Sequence, residues 1–231
     1  MVGAKTGMAA PAPLLSVEGL SVAFGPMTVV DDVRFAVRPG ETVALVGESG
    51  SGKTLTGKAL LGILPRGARV TGGGAVLDDG AGRCDLLALS EPALRAVRGA
   101  RVAMIFQEPM SSLSPLHTVG SQVIEAVRLH TEDDAEAARS RCLDTFAEVG
   151  FPDPERAFSA YPFELSGGLR QRAMIAMAMV CRPSLLIADE PTTALDVTTQ
   201  ATVLDLIRRL QGETGMSMIL VTHDLGVVAN V

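Results

Sequence analysis

Gly47-Glu48-Ser49-Gly50-Ser51-Gly52-Lys53-Thr54 is the stretch on which the reading of this chain turns. It follows the apolar run Thr42-Val43-Ala44-Leu45-Val46 and precedes Leu55–Leu64, a segment able to form a helix. The pattern is G-x-x-x-x-G-K-[ST] with a strand before it and a helix after it. Backbone N–H groups of such a loop can wrap a polyphosphate, and the helix N-terminus adds partial positive charge. Lys53 is placed to reach the β- and γ-phosphates, and Thr54 offers a hydroxyl to Mg²⁺. The stretch therefore predicts a nucleotide site at the end of a strand in an α/β core.

Composition limits what else the chain can be. Its 231 residues are 47% hydrophobic and 20% charged, enough for one sizeable domain with an inserted lobe. Aromatics are 3% with no Trp, and the net charge is −6 without a basic block. Both features argue against a nucleic-acid surface. Cys84, Cys142 and Cys181 are far apart and show no C-x-x-C, so they read as reduced thiols rather than metal ligands or disulfides. The longest apolar run, Ala173–Cys181, is too short to span a bilayer. Met1–Pro13 lacks a secretion signal and reads as a disordered leader. The reading is a soluble cytosolic chain whose membrane link, if any, runs through a partner.

Working outward, Leu14–Ala23 reads as a strand, with Met27–Val30 and Val33–Val37 as two more. Phe24, upstream of the loop, is open between stacking on an adenine face and a core or turn role. Val70–Leu77, with its triple glycine, reads as a turn into a strand and lacks dinucleotide-site spacing. Ser90-Glu91-Pro92 reads as a Ser N-cap with Pro in the first turn. Val102–Phe106 is a buried strand that delivers Gln107 at its C-terminal end, where open α/β sheets place functional groups. A purely structural glutamine is the alternative. Val119, Val123 and Val127 then repeat at helical spacing, as do Ala135, Ala138, Cys142, Phe146 and Val149. Asp133-Asp134 with Glu136 fits an acidic first turn between the two helices. These stripes read as packing faces.

Leu165-Ser166-Gly167-Gly168-Leu169-Arg170-Gln171-Arg172 opens a long helix that Pro183 ends. Ser166 can cap it, and Gly167 and Gly168 leave first-turn N–H groups exposed, which makes a second anion site. Two such sites on a chain holding one nucleotide suggest a shared arrangement. Leu185–Ala188 is a buried strand ending in Asp189-Glu190. Asp189 can hold Mg²⁺ through water, and Glu190 can polarise an attacking water. Val197–Leu210 reads as a helix and Met216–Thr222 as a strand. His223 at that strand's end is a candidate γ-phosphate sensor.

Taken together, these stretches closely resemble an ABC-transporter ATP-binding subunit. The resemblance assigns Gly47–Thr54 to the Walker A loop, Gln107 to the Q-loop and Leu165–Leu169 to the signature. It assigns Leu185–Glu190 to Walker B, Ala194-Leu195-Asp196 to the D-loop and His223 to the switch histidine. Phe24 falls where the family has its adenine-stacking aromatic. Met104–Pro115 and Leu169–Ala178 look like the dipeptide/oligopeptide/nickel importer branch.

The implied fold is an α/β P-loop NTPase (RecA-like) core with an N-terminal antiparallel β region and an inserted α-helical subdomain. The core would comprise residues 14–107 and 183–231, C-terminally truncated because the family continues beyond this point, and the helical subdomain residues 108–182. The implied activity is ATP hydrolysis at a composite dimer site, driving uptake of peptides or nickel-type solutes from the cytoplasmic face of the membrane. Glu190, His223 and Gln107 would be catalytic. Phe24, Gly47, Glu48, Ser49, Gly50, Ser51, Gly52, Lys53, Thr54, Ser166, Gly167, Gly168 and Asp196 would hold ATP. Thr54, Gln107 and Asp189 would hold Mg²⁺. The implied partners are two transmembrane permeases, a second ATPase subunit and an extracytoplasmic solute-binding protein, with no nucleic acid. Gln107 and Glu108–Pro115 would couple the ATPase to the permeases. A non-transport ABC ATPase is the alternative. A P-loop kinase would leave the signature and His223 unexplained.

Overall fold

A computed structural model describes residues 12–108, 112–193 and 197–228, without the side chains of residues 197 and 198. Most of the expected leader lies outside the described residues.

Among the described residues, two four-stranded sheets form the frame. The first contains β1 (Leu15–Phe24), β2 (Met27–Val37), β4 (Ala68–Asp78) and β5 (Arg83–Asp85) in the order β2-β1-β4-β5. All its pairings are antiparallel. The second contains β3 (Thr42–Val46), β6 (Val102–Ile105), β7 (Leu185–Asp189) and β8 (Ser217–Thr222) in the order β3-β8-β7-β6, all parallel. This is the α/β architecture expected from the sequence.

Strand alternation explains how the parallel sheet carries cover on both faces. Val102, Met104, Leu185, Ile187, Ile219 and Val221 pack toward the antiparallel sheet and α1 (Lys53–Leu60). Ala103, Ile105, Leu186, Ala188, Met218 and Leu220 pack into a second core with the helices. A parallel sheet buried on both faces needs such near-continuous apolar strands.

The second core is formed by α3 (Val119–His130), α4 (Ala135–Glu148), α6 (Gly167–Met179) and α7 (Val197–Thr214). The short helices are α2 (Glu91–Val97), α5 (Pro154–Ser159) and α8 (Leu225–Val228). Val119, Val123 and Val127 are fully buried, as are Ala138, Cys142, Phe146 and Val149. Ala135 is exposed, so the second stripe begins one turn later than the sequence pattern placed it. Asp134 caps α4 by accepting from the Glu136 and Ala137 N–H groups. Asp133 instead pairs with Arg141 at 2.7 Å.

Three local expectations change. Residues 27–37 form one strand rather than two, its pairing with β1 interrupted by register shifts, with Asp32 at a positive φ of 48°. A bulge can absorb such an extra residue without ending the strand. The triple glycine lies inside β4 rather than in a turn. Gly73 has φ 95°, and a Cβ there would stand 2.5 Å from the Gly19 backbone, so the strand passes only because no side chain intervenes. Ser90 occupies the N-cap position of α2 without a side-chain capping bond.

Candidate functional site: a phosphate loop facing Asp189, Glu190 and His223

β3 delivers the chain into the 47–52 loop, and α1 begins at Lys53. Gly52 has φ 90°, and a Cβ there would meet the Val29 carbonyl and Val30 side chain at 2.9 Å. The antiparallel sheet thus presses the loop from behind, and glycine alone lets it do so unstrained. Lys53 Nζ donates to the carbonyls of Gly47 and Glu48, each at 2.7 Å, and to Ser51 Oγ at 3.3 Å. These contacts hold the ammonium across the mouth of its own loop.

β7 and β8 bring the acidic and imidazole groups to the same end of the parallel sheet. Thr54 Oγ1 donates to Asp189 Oδ1 at 2.8 Å. Asp189 is 2% exposed, and burial pushes its carboxyl above the ordinary aspartate value. Glu190 has φ 45°, a left-handed conformation unusual for a side-chain-bearing residue. Its N–H donates to the Val221 carbonyl at 2.9 Å, which ties it to β8. Its Oε1 lies 3.0 Å from His223 Nδ1, and its Oε2 accepts from Gln107 Nε2 at 3.0 Å and Thr193 Oγ1 at 2.8 Å. Burial alone would raise the Glu190 carboxyl. The His223 and Thr193 hydrogen bonds, with the charges of His223 and Lys53, hold it below the ordinary glutamate value.

A cleft of about 620 Å³ collects Glu48, Ser49, Gly50, Ser51, Gly52, Lys53 and Thr54 with Gln107, Glu190, Thr193 and His223. The structure thus brings together the loop, the strand-end glutamine, the acid and the histidine from four separate stretches. Phe24 ends β1 beside Gly67 and is not among the cleft's lining residues. Asp196, with Ala194 and Leu195, lies outside the described residues, as do residues 109–111 of the expected coupling segment.

Ser166, Gly167 and Gly168 also stand apart from this cleft. Ser166 Oγ accepts from Leu169 N–H at 3.3 Å and caps α6. Gly167 is exposed, with nothing among the described residues within 4 Å of a notional Cβ. Arg170 braces the preceding turn by donating to the Pro162 carbonyl at 2.8 Å. Gln171, 2% exposed, donates to the Pro191 carbonyl at 2.6 Å, joining the helix behind this turn to the loop after Glu190.

The oxygen donors fit Mg²⁺. Thr54 and Asp189 present a hydroxyl and a carboxylate within 2.8 Å of each other, and Asp189 is a buried acid whose ionised form a cation would stabilise. Among the described residues no group of three or more His, Cys, Asp or Glu could hold a metal by itself. Mg²⁺ therefore suits this site only with phosphate oxygens completing its shell, as is usual for this ion. Two contacts went unread in the sequence: Thr193 to Glu190, and Gln171 to Pro191. A hydroxyl three residues after an acid was the available signal for the first. The second joins residues 20 positions apart and left no local trace.

Among the described residues, no helix is long and apolar enough to cross a membrane. Residues 30–193 match the family described as ABC transporter. The peptidoglycan transport ATP-binding protein YejF of Agrobacterium fabrum is 56% identical over 220 residues, covering 94% of this chain and 40% of that protein. The dipeptide transport ATP-binding protein DppD of Escherichia coli is 47% identical over 220 residues, covering 94% of this chain and 66% of that protein. The chain therefore spans less than two thirds of the length of either relative. A solved dimeric ATP-binding cassette in a post-hydrolysis state, bound to ADP and Pi, superposes with a TM-score of 0.78 at 26% identity. That match covers 92% of this chain and 89% of the other. With residues 30–193 of 231 matched by the family, the chain belongs to the ABC transporter family.

Proposed function

We propose that this chain binds and hydrolyses ATP as a subunit of an importer for peptides, working in a head-to-tail pair of ATPase subunits. The carrying observation is the cleft that sets Lys53 and the 47–54 loop opposite Glu190 and His223. The loop N–H groups and Lys53 bind the phosphates, and the α1 N-terminus adds its dipole. Thr54 and Asp189 would hold Mg²⁺, which when bound would supply neutralisation of the phosphate charge. Glu190 orients and polarises the attacking water and is the candidate general base. His223 fixes Glu190 from one side and reaches toward the cleft as a γ-phosphate sensor. Gln107 joins Glu190 to the segment leading into the helices, a route by which nucleotide state reaches a membrane partner.

Ser166, Gly167 and Gly168 serve the nucleotide of the neighbouring subunit. Their separation from the cleft supports this, as does the dimeric state named for the solved cassette. Phe24 supports the adenine from outside the phosphate cleft, and Asp196 acts where the two subunits meet. The working unit divides at residues 14–107 and 183–231 for the core and 108–182 for the helical part. The peptide assignment rests on the names of the relatives, DppD above all. The partners are two permeases, an extracytoplasmic binding protein and a second ATPase, identical or related. The chain sits peripherally on the cytoplasmic face.

The test is ATP hydrolysis and peptide uptake by the full chain assembled with its permeases in vesicles. Glu190→Gln should abolish both while ATP still binds. Undiminished turnover in that variant would remove Glu190 from the mechanism. ATPase activity without permeases, indifferent to peptide, would favour the non-transport reading.

A further inference from the structure

Among the described residues the Glu190 carboxylate has three side-chain partners, and they differ in where they come from. Gln107 follows β6, and His223 follows β8. Both reach Glu190 from elements more than thirty positions away in sequence. Thr193 belongs to the same turn as Glu190. Its N–H donates to the Glu190 carbonyl at 3.1 Å, and its hydroxyl donates to Glu190 Oε2 at 2.8 Å. The turn is therefore closed twice over, once through backbone and once through the side chain. It starts from a Glu190 backbone in the left-handed region, which local contacts must sustain. Thr193 also lines the cleft that Lys53 faces, so its hydroxyl acts at the site itself.

We infer that Thr193 is a positioning residue for Glu190: its hydroxyl keeps the carboxylate aimed into the cleft from within Glu190's own turn. The inference rests on the reading of Glu190 as the group that orients water. The Thr193 bond joins donor and acceptor on one short turn, so it does not depend on where β6 and β8 place Gln107 and His223. Losing the hydroxyl would loosen the carboxylate in the cleft.

Thr193→Val keeps the shape of the side chain and removes its donor, and Thr193→Ser keeps the donor. In the assembled transporter, Thr193→Val should lower kcat about tenfold or more, the scale of losing one hydrogen bond to a charged group, with KM for ATP little changed. Thr193→Ser should restore kcat. At one neutral pH, a carbon-detected NMR spectrum of the full chain, with the Glu190 carboxyl assigned through Glu190→Gln, should show that resonance displaced in Thr193→Val and returned in Thr193→Ser. An unmoved resonance in Thr193→Val, or a Thr193→Ser protein as impaired as Thr193→Val, would overturn the inference. Undiminished turnover in Glu190→Gln would instead refute the water-orienting reading, and the carboxyl resonance would still decide whether Thr193 holds the carboxylate.

Discussion

Asp189 is buried against Thr54, while the next residue, Glu190, is held by His223, Gln107 and Thr193. Burial raises the first carboxyl, whereas hydrogen bonds and positive charge lower the second against the same tendency. The difference has opposite consequences for stability. Ionised Asp189 opposes folding, so its contribution is best below the ordinary aspartate range and is lost as pH rises through its raised value. Asp189→Asn should therefore raise the thermal midpoint of the nucleotide-free chain and cancel the further rise that Mg²⁺ with ATP gives the wild type. Calorimetric scans with and without Mg²⁺ and ATP check both. Glu190 behaves conversely. It is ionised through neutral pH, and its stabilising bonds are lost only as pH falls through a value below the ordinary 4.5. ATPase activity limited by Glu190 should be flat through neutrality and decline only in that acid range, as a pH–rate profile would show.

At the scale of elements, one polar cluster ties the two sheets together. The Asp79 side chain is 3% exposed and accepts from Arg101 at 2.9 and 2.6 Å and from Ser184 Oγ at 2.8 Å. Arg101 also donates to the Gly82 carbonyl. Asp79 and Gly82 flank the antiparallel sheet's β4–β5 turn, while Arg101 and Ser184 precede β6 and β7 of the parallel sheet. Burial pushes the Asp79 carboxyl up, but Arg101 and Ser184 outweigh that and hold it below the ordinary 3.8. The clasp therefore stabilises above about that pH and is lost as pH falls through the lower value. Asp79→Ala should cost about 3–5 kcal/mol in urea unfolding at neutral pH, because Arg101 is left without its carboxylate. None of this cluster was legible in the sequence, since Asp79, Arg101 and Ser184 meet only after both sheets form.

The four parallel strands were legible, because apolar runs ending in functional residues have few other readings. So were the Val119 and Ala138 stripes, where burial follows helical spacing. The triple glycine was misread because local composition signals a turn. Its reason is the close approach of Gly19, a long-range contact. The phosphate loop, Asp189, Glu190 and His223 could be picked out one by one. Their convergence, and the role of Thr193, needed the fold.

Across the whole molecule, the phosphate cleft and the capped turn at Ser166–Gly168 are distinct surfaces on one chain. Gln171 links them from within, through its bond to the Pro191 carbonyl beside Glu190. In a head-to-tail pair each nucleotide would lie between the loop of one subunit and the turn of the other. A chain with a sound loop and a spoiled turn should bind ATP normally yet fail to hydrolyse it. Lys53→Ala should do the reverse at the binding step, weakening ATP affinity about tenfold or more through loss of a charged phosphate contact.

The most direct measurement pairs ATP binding by isothermal calorimetry with the hydrolysis rate of the assembled transporter, both for Ser166→Arg. Binding to the isolated chain should match the wild type, while hydrolysis falls to background. Loss of binding in this variant, or hydrolysis at the wild-type rate, would contradict a site completed by a neighbouring subunit.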